Sequence, residues 1–138
     1  MTSSSRLLIA VLCDDVRTEV RGKVSLMGLF DNFSVSDVDK PLPPFRLSAR
    51  IGVTTPGDHP VKLRISSIED DFQVELPGKL TARETNAASG LHEAVMTLGI
   101  TGLMVPRAGR YRLRFVIDDV VVDGPMFTVT RREKRNLN

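Results

Sequence analysis

The stretch FRLSARIGV, residues 45–53, changes side at every step, and a period of two is satisfied only by an extended chain with one buried and one wet face. Phe45, Leu47, Ala49, Ile51 and Val53 fall on one side, Arg46, Ser48 and Arg50 on the other. VKLRIS repeats the pattern, with Val61, Leu63 and Ile65 set against Lys62 and Arg64. Phe72, Val74 and Leu76 alternate with Gln73 and Glu75 until Pro77-Gly78 interrupts them, and RYRLRFVID sets Tyr111, Leu113, Phe115 and Ile117 against Arg110, Arg112 and Arg114. Two stretches resist, residues 91–100 and the polar segment 78–90 before them. Leu91, Ala94, Val95 and Leu98 fit helical spacing, while Ala94, Met96, Leu98 and Ile100 fit a strand, and the neighbouring strands decide for the latter.

Turn formers divide these runs. TPGDHP predicts a hairpin joining 45–53 to 61–66, Asp123-Gly124 predicts a turn inside VVVDGPMFTVT, and the polar segment 78–90 reads as a long mobile loop with room for a short strand. Near the start, LLIAVLC and KVSLMGLF are apolar on both faces, as in strands covered on two sides. The span Thr18–Gly22 connects them, with RGK as the turn of an N-terminal hairpin. Seven or eight such strands predict an all-β antiparallel sandwich of the immunoglobulin-like type, with a small barrel as the alternative. At 138 residues one domain is expected, spanning 1–130, followed by a basic disordered tail at 131–138.

Charge and composition narrow the function classes. The net charge of +2 belongs to the tail, where Arg131, Arg132, Lys134 and Arg135 outnumber Glu133, so the body is nearly neutral. With no Trp and one Tyr, platforms for stacking sugars or bases are hard to build. A single Cys forms no internal disulfide, which fits a reducing, cytoplasmic setting. MTSSSRLLIAVLC has too short an apolar run, Leu7 to Leu12, for a secretory signal, and no stretch is long enough to span a membrane.

Candidate chemistry is sparse. Asp14 and Asp15 follow Cys13, but adjacent residues of a strand point to opposite faces, so they are expected to be a solvated strand end pairing with Arg17 or Lys23. A weaker alternative is a calcium site drawn from Asp14, Asp15, Asp118 and Asp119, with Asp31, Asp70 and Asp71 as further donors, although no defined ligand loop such as D-x-D-x-D-G is present. Cys13 is expected to be a shielded, inert thiol, and His59 and His92 solvated imidazoles. Neither a nucleophile elbow, a zinc-binding histidine pair nor a phosphate loop appears, so no enzyme and no cofactor is expected. If their strands share a sheet, Arg46, Arg50, Lys62, Arg64, Arg110, Arg112 and Arg114 form one basic face able to meet anions or a nucleic-acid backbone. Interleaved acids would instead make it an ordinary mixed surface.

LCDDVRTEVRGKVSLMGLFDNF and PRAGRYRLRFVIDD together resemble a family of small, uncharacterised, single-domain bacterial proteins that share a CDD-x-R…GK-x-S-L-x-G opening and a G-x-Y-x-x-x-F close. The resemblance runs through most of the chain and implies a cytoplasmic bacterial β-sandwich; it transfers no catalytic residue. The expectation that remains is a non-enzymatic module acting through protein contacts, including self-association, because the two-sided apolar first hairpin needs a second cover.

Overall fold

Alternation becomes burial in the computed structural model, which describes residues 5–20, 24–36, 39–84 and 90–132. Phe45, Leu47, Ala49, Ile51 and Val53 are all inside, as are Val61, Leu63, Ile65, Leu113, Phe115 and Ile117. Each such large apolar side chain contributes about 1.5–3 kcal/mol on leaving water, so this shared inner face is what holds the chain together.

Among the described residues nine strands form, rather than seven or eight: β1 Arg6–Thr18, β2 Val24–Phe30, β3 Asn32–Val35, β4 Phe45–Val53, β5 Gly57–Ser67, β6 Gln73–Ala82, β7 His92–Ile100, β8 Gly109–Ile117 and β9 Val120–Arg131. They lie in one sheet of order β2-β1-β4-β7-β6-β5-β8-β9-β3 that nearly closes, with β1 reaching β9 across the interior. The pairing is antiparallel except that β3 runs parallel to β9, Asn32 beside Thr128 and Val35 beside Arg131. The weakest seam is between β6 and β7, which share one pair, Ala82 and Ala94.

Several local expectations change. The runs at 45–53 and 61–66 are not a hairpin: β4 pairs with β1 and β7, whereas β5 pairs with β6 and β8. The short link Thr54–Pro56 therefore crosses between the two halves of the sheet, because both runs need partners whose apolar faces they can share. Pro77-Gly78 does not end its strand. Pro77 sits opposite Lys62 in β6, where the other edge has no partner before Ala82 and a missing N–H is tolerated. The segment 78–90 thus opens with the short strand it had room for, as β6 runs on to Ala82, and its residues 85–89 lie outside the described ones.

Asp123-Gly124 is not a turn either but the site of a register shift inside β9, where a side chain at Gly124 would sit 2.8 Å from the Leu113 carbonyl. The turn falls at Asp118-Asp119, both left-handed at φ 50° and 64°, the backbone that a two-residue hairpin with the right twist requires. Residues 91–100 do form a strand, β7. The basic tail starts later than 131, since Arg131 pairs in the sheet and the Arg132 N–H donates to the Val35 carbonyl at 2.7 Å; residues 133–138 are outside the described ones. Among the described residues no helix is long and apolar enough to cross a membrane.

Tyr111 opens the buried part of β8. Its ring stacks on Phe127 at 5.4 Å and meets Phe72 edge-on, and its hydroxyl donates to the Arg107 carbonyl at 2.6 Å. Arg107 in turn holds Asp71 and Glu69; its hydrogen bond to Asp71, followed by the one that the Ser67 hydroxyl donates at 2.6 Å, keeps the Asp71 carboxyl well below the usual range. Tyr111→Phe keeps the ring and leaves the carbonyl without its donor, which is expected to cost about 1–2 kcal/mol in urea unfolding. Stability equal to the parent would show the corner to be idle.

Candidate interaction surface

The opening residues of the chain build the face that most departs from an ordinary surface. β1 and β2 form the expected hairpin, with Leu12 opposite Phe30, Cys13 opposite Leu29 and Asp15 opposite Met27; its proposed turn at 21–23 lies outside the described residues. In β2, Gly28 adopts φ +67° across from Asp14, and a Cβ there would stand 2.4 Å from Asp14 Oδ2. Glycine permits both the left-handed backbone and this close approach. Farther out, Leu26 lines a small hollow with Ile9, Val11, Ser48, Arg50 and Val95, which brings the hairpin over the outer face of β1, β4 and β7.

Of the hollow's lining, Ile9 and Val95 are about half exposed, and on the same hairpin Leu8, Met27 and Leu29 are between 44% and 61% exposed. Ion pairs lie on the same strands: Asp15 meets Arg17 at 3.3 Å and Arg46 at 3.6 Å, and Arg50 meets Glu93 at 3.1 Å. Asp15 also accepts the Val16 N–H at 2.9 Å. Asp14 turns instead toward Gly28, so the two neighbouring carboxylates serve different partners.

The proposed calcium donors are split between opposite ends of the sheet. Asp14 and Asp15 follow Cys13, which lies beside Arg46 at the start of β4, whereas Asp118 meets His59, whose ring also faces the Thr55 carbonyl just beyond the end of β4. A strand of that length holds them roughly 25–30 Å apart. Asp70 faces Arg114 at 3.4 Å and Asp71 faces Arg107 at 2.8 Å. Among the described residues no three His, Cys, Asp or Glu side chains gather as a metal-binding group.

The arginines divide as well. Arg46 and Arg50 stand on β4, separated in the sheet by β7 and β6 from Lys62 and Arg64 on β5 and Arg110, Arg112 and Arg114 on β8. Acids alternate with them: Glu75 holds Arg64 at 3.3 Å and Lys62 at 4.0 Å, and Arg112 donates to the Ile68 carbonyl at 2.9 Å. The Nε atoms of Arg112 and Arg114 are buried without a partner. Exposed pairs of this kind are worth about 0–1 kcal/mol each, so they tune the surface and do not build the fold.

His59 is not the solvated imidazole that its turn-rich surroundings predict. It belongs to β5, is buried, and has Nδ1 at 2.6 Å from Asp118 Oδ2 and Nε2 at 2.8 Å from the Thr55 carbonyl. Its Pro60 and Gly57 neighbours suggested a loop, and nothing in the local sequence marks a partner 59 residues away. His92 opens β7. Cys13 is fully buried beneath Leu29 and Arg46, and burial, followed by the negative charge of Asp14, pushes its thiol pKa up.

The family of unknown function DUF6941 matches residues 8–130, and the chain belongs to it. No curated protein matches. Among solved structures, the chain is similar to a β-glucosidase from Listeria innocua in complex with glucose, at 10% identity and a TM-score of 0.48 over 93% of this chain and 16% of that one. It is likewise similar to a β-glucosidase from Listeria innocua in complex with gluconolactone, at 9% identity and a TM-score of 0.43 over 94% of this chain. It spans 16% of the length of either glucosidase chain.

Since a thiolate is the reactive species, a buried thiol with a raised pKa reacts slowly. In the native protein Cys13 is expected to react with a disulfide reagent many times more slowly than in denaturant. Equal rates in the two states would contradict its placement.

Proposed function

For this member of a family of unknown function, we propose a non-enzymatic interaction module that associates with a second copy of itself through the first hairpin and the apolar outer face beside it. The observation that carries the reading is strand β2. It terminates the sheet, and VSLMGLF contains no charged residue. Edge strands of soluble proteins are ordinarily blunted with charge or proline, because unpaired backbone groups recruit another strand. An uncharged strand laid antiparallel on its own copy brings no like charges together, and a two-fold operation closes the assembly at two subunits.

The immunoglobulin-like sandwich belongs to the same reading. In its favour, the halves β2-β1-β4-β7 and β6-β5-β8-β9-β3 are joined by one residue pair, and Tyr111 ties the start of β8 to the Arg107 carbonyl in the manner of a tyrosine corner. A role without catalysis accords with the displaced titrations: those of His59, Asp71 and Arg107 arise from contacts that tie loops together. A cytoplasmic setting accords with a chain whose single cysteine, Cys13, forms no internal disulfide.

Sedimentation equilibrium at micromolar concentration is expected to give a dimer. Leu29→Lys with Met27→Lys, both exposed in the single chain, should weaken it at least about tenfold without lowering the melting temperature of the monomer. A strict monomer for the parent chain removes the proposal, and so does a dimer indifferent to both substitutions.

A further inference from the structure

We propose that His59 and Asp118 form a pH-responsive latch that holds the β8–β9 turn against the β4–β5 link. A neutral imidazole carries one N–H, and its other nitrogen accepts. Here both nitrogens face oxygen acceptors, Asp118 Oδ2 at 2.6 Å and the Thr55 carbonyl at 2.8 Å. Only the doubly protonated ring donates to both. Its side chain is 7% exposed, so water does not readily replace a lost partner.

The groups around the ring agree with a cation at this position. Asp118 approaches from the β8–β9 turn, the Thr55 carbonyl and hydroxyl from the β4–β5 link, and Asp58 precedes His59 on β5. On β6, Lys79 is drawn to Asp58 at 3.6 Å, and Thr81 donates to Asp58 at 2.8 Å, which leaves Asp118 as the acid in direct contact with the ring. Burial lowers the imidazole pKa, but the Thr55 and Asp118 hydrogen bonds and the charges of Asp118 and Asp58 outweigh it, and the net displacement is upward.

A group whose folded pKa is raised gives its full stabilisation below its unfolded value, about 6.5 for histidine, and loses it as pH climbs through the folded value. The latch is therefore closed below the ordinary histidine value and opens as pH climbs through the raised one. What it restrains is the β8–β9 turn. Asp118 and Asp119 form the two-residue turn itself, and release of Asp118 removes its side-chain tether to His59 and, through the ring, to the β4–β5 link. Both residues also line a surface hollow of about 420 Å³ with Lys62, Pro77 and Val116, whose wall changes with the turn.

The test uses the whole chain and nuclear magnetic resonance. The His59 ring titration is expected to have its midpoint above the ordinary histidine value. Amide protection factors at Asp119, Val120 and Val121, corrected for intrinsic exchange, should fall through the same midpoint. Asp118→Asn removes the facing charge and should shift the midpoint down by about one pH unit, a tenfold change in proton affinity. His59→Gln should make the protection independent of pH, and if that variant does not fold, the parent and Asp118→Asn titrations decide. A midpoint at or below the ordinary value, or turn protection that ignores the His59 titration, overturns the latch.

Discussion

The two halves of the sheet are held face to face by an aromatic interlock. Phe33 of β3 lies 4.8 Å from Phe30, 5.0 Å from Phe45 and 5.5 Å from Phe127, each edge-on, and Phe127 continues the chain of rings to Tyr111. These contacts join β2, β3, β4, β8 and β9, elements that the backbone ladder sets at opposite ends of the strand order. Because β6 and β7 share one residue pair, the ladder alone could not keep the halves in contact. Edge-on aromatic pairs add about 0.5–1.5 kcal/mol each beyond the area they bury, comparable to or larger than any exposed ion pair on the outside.

Strand character was legible wherever one face is wet, since alternation is then written into the residues: 45–53, 61–65 and 111–117 bury the expected positions. Partnering was not legible. A strand such as β4 accepts any neighbour with a matching apolar face, and TPGDHP looks like a tight hairpin although it crosses between halves. Pro77-Gly78 and Asp123-Gly124 misled for a related reason, as their strands tolerate an open edge in one case and a bulge in the other. The short parallel strand β3 left no periodic signal over its four residues.

Surface chemistry was harder to read than the core. The arginines share an alternating pattern, yet sheet order decides which of them are neighbours, and it separates those of β4 from those of β5 and β8. The pairing of His59 with Asp118 depends on a contact between residues far apart in the chain, and proximity of that kind exists only after β5 and β8 have aligned. The apolar hairpin is the exception, since its hydrophobic runs put apolar side chains on both faces, and Leu8, Ile9, Met27 and Leu29 are exposed in the single chain.

The parallel pairing of β3 with β9 has a consequence for the order of synthesis. Asn32 emerges from the ribosome nearly a hundred residues before Thr128, its neighbour in the finished sheet. Until the last strand arrives, Phe33 lacks the ring of Phe127 and the interior stays open along one side. Topologies dominated by such distant pairings fold slowly, in milliseconds to seconds. A ribosome stalled short of residue 128 would thus carry a nascent chain with its interior unsealed, whatever the quality of the strands already made.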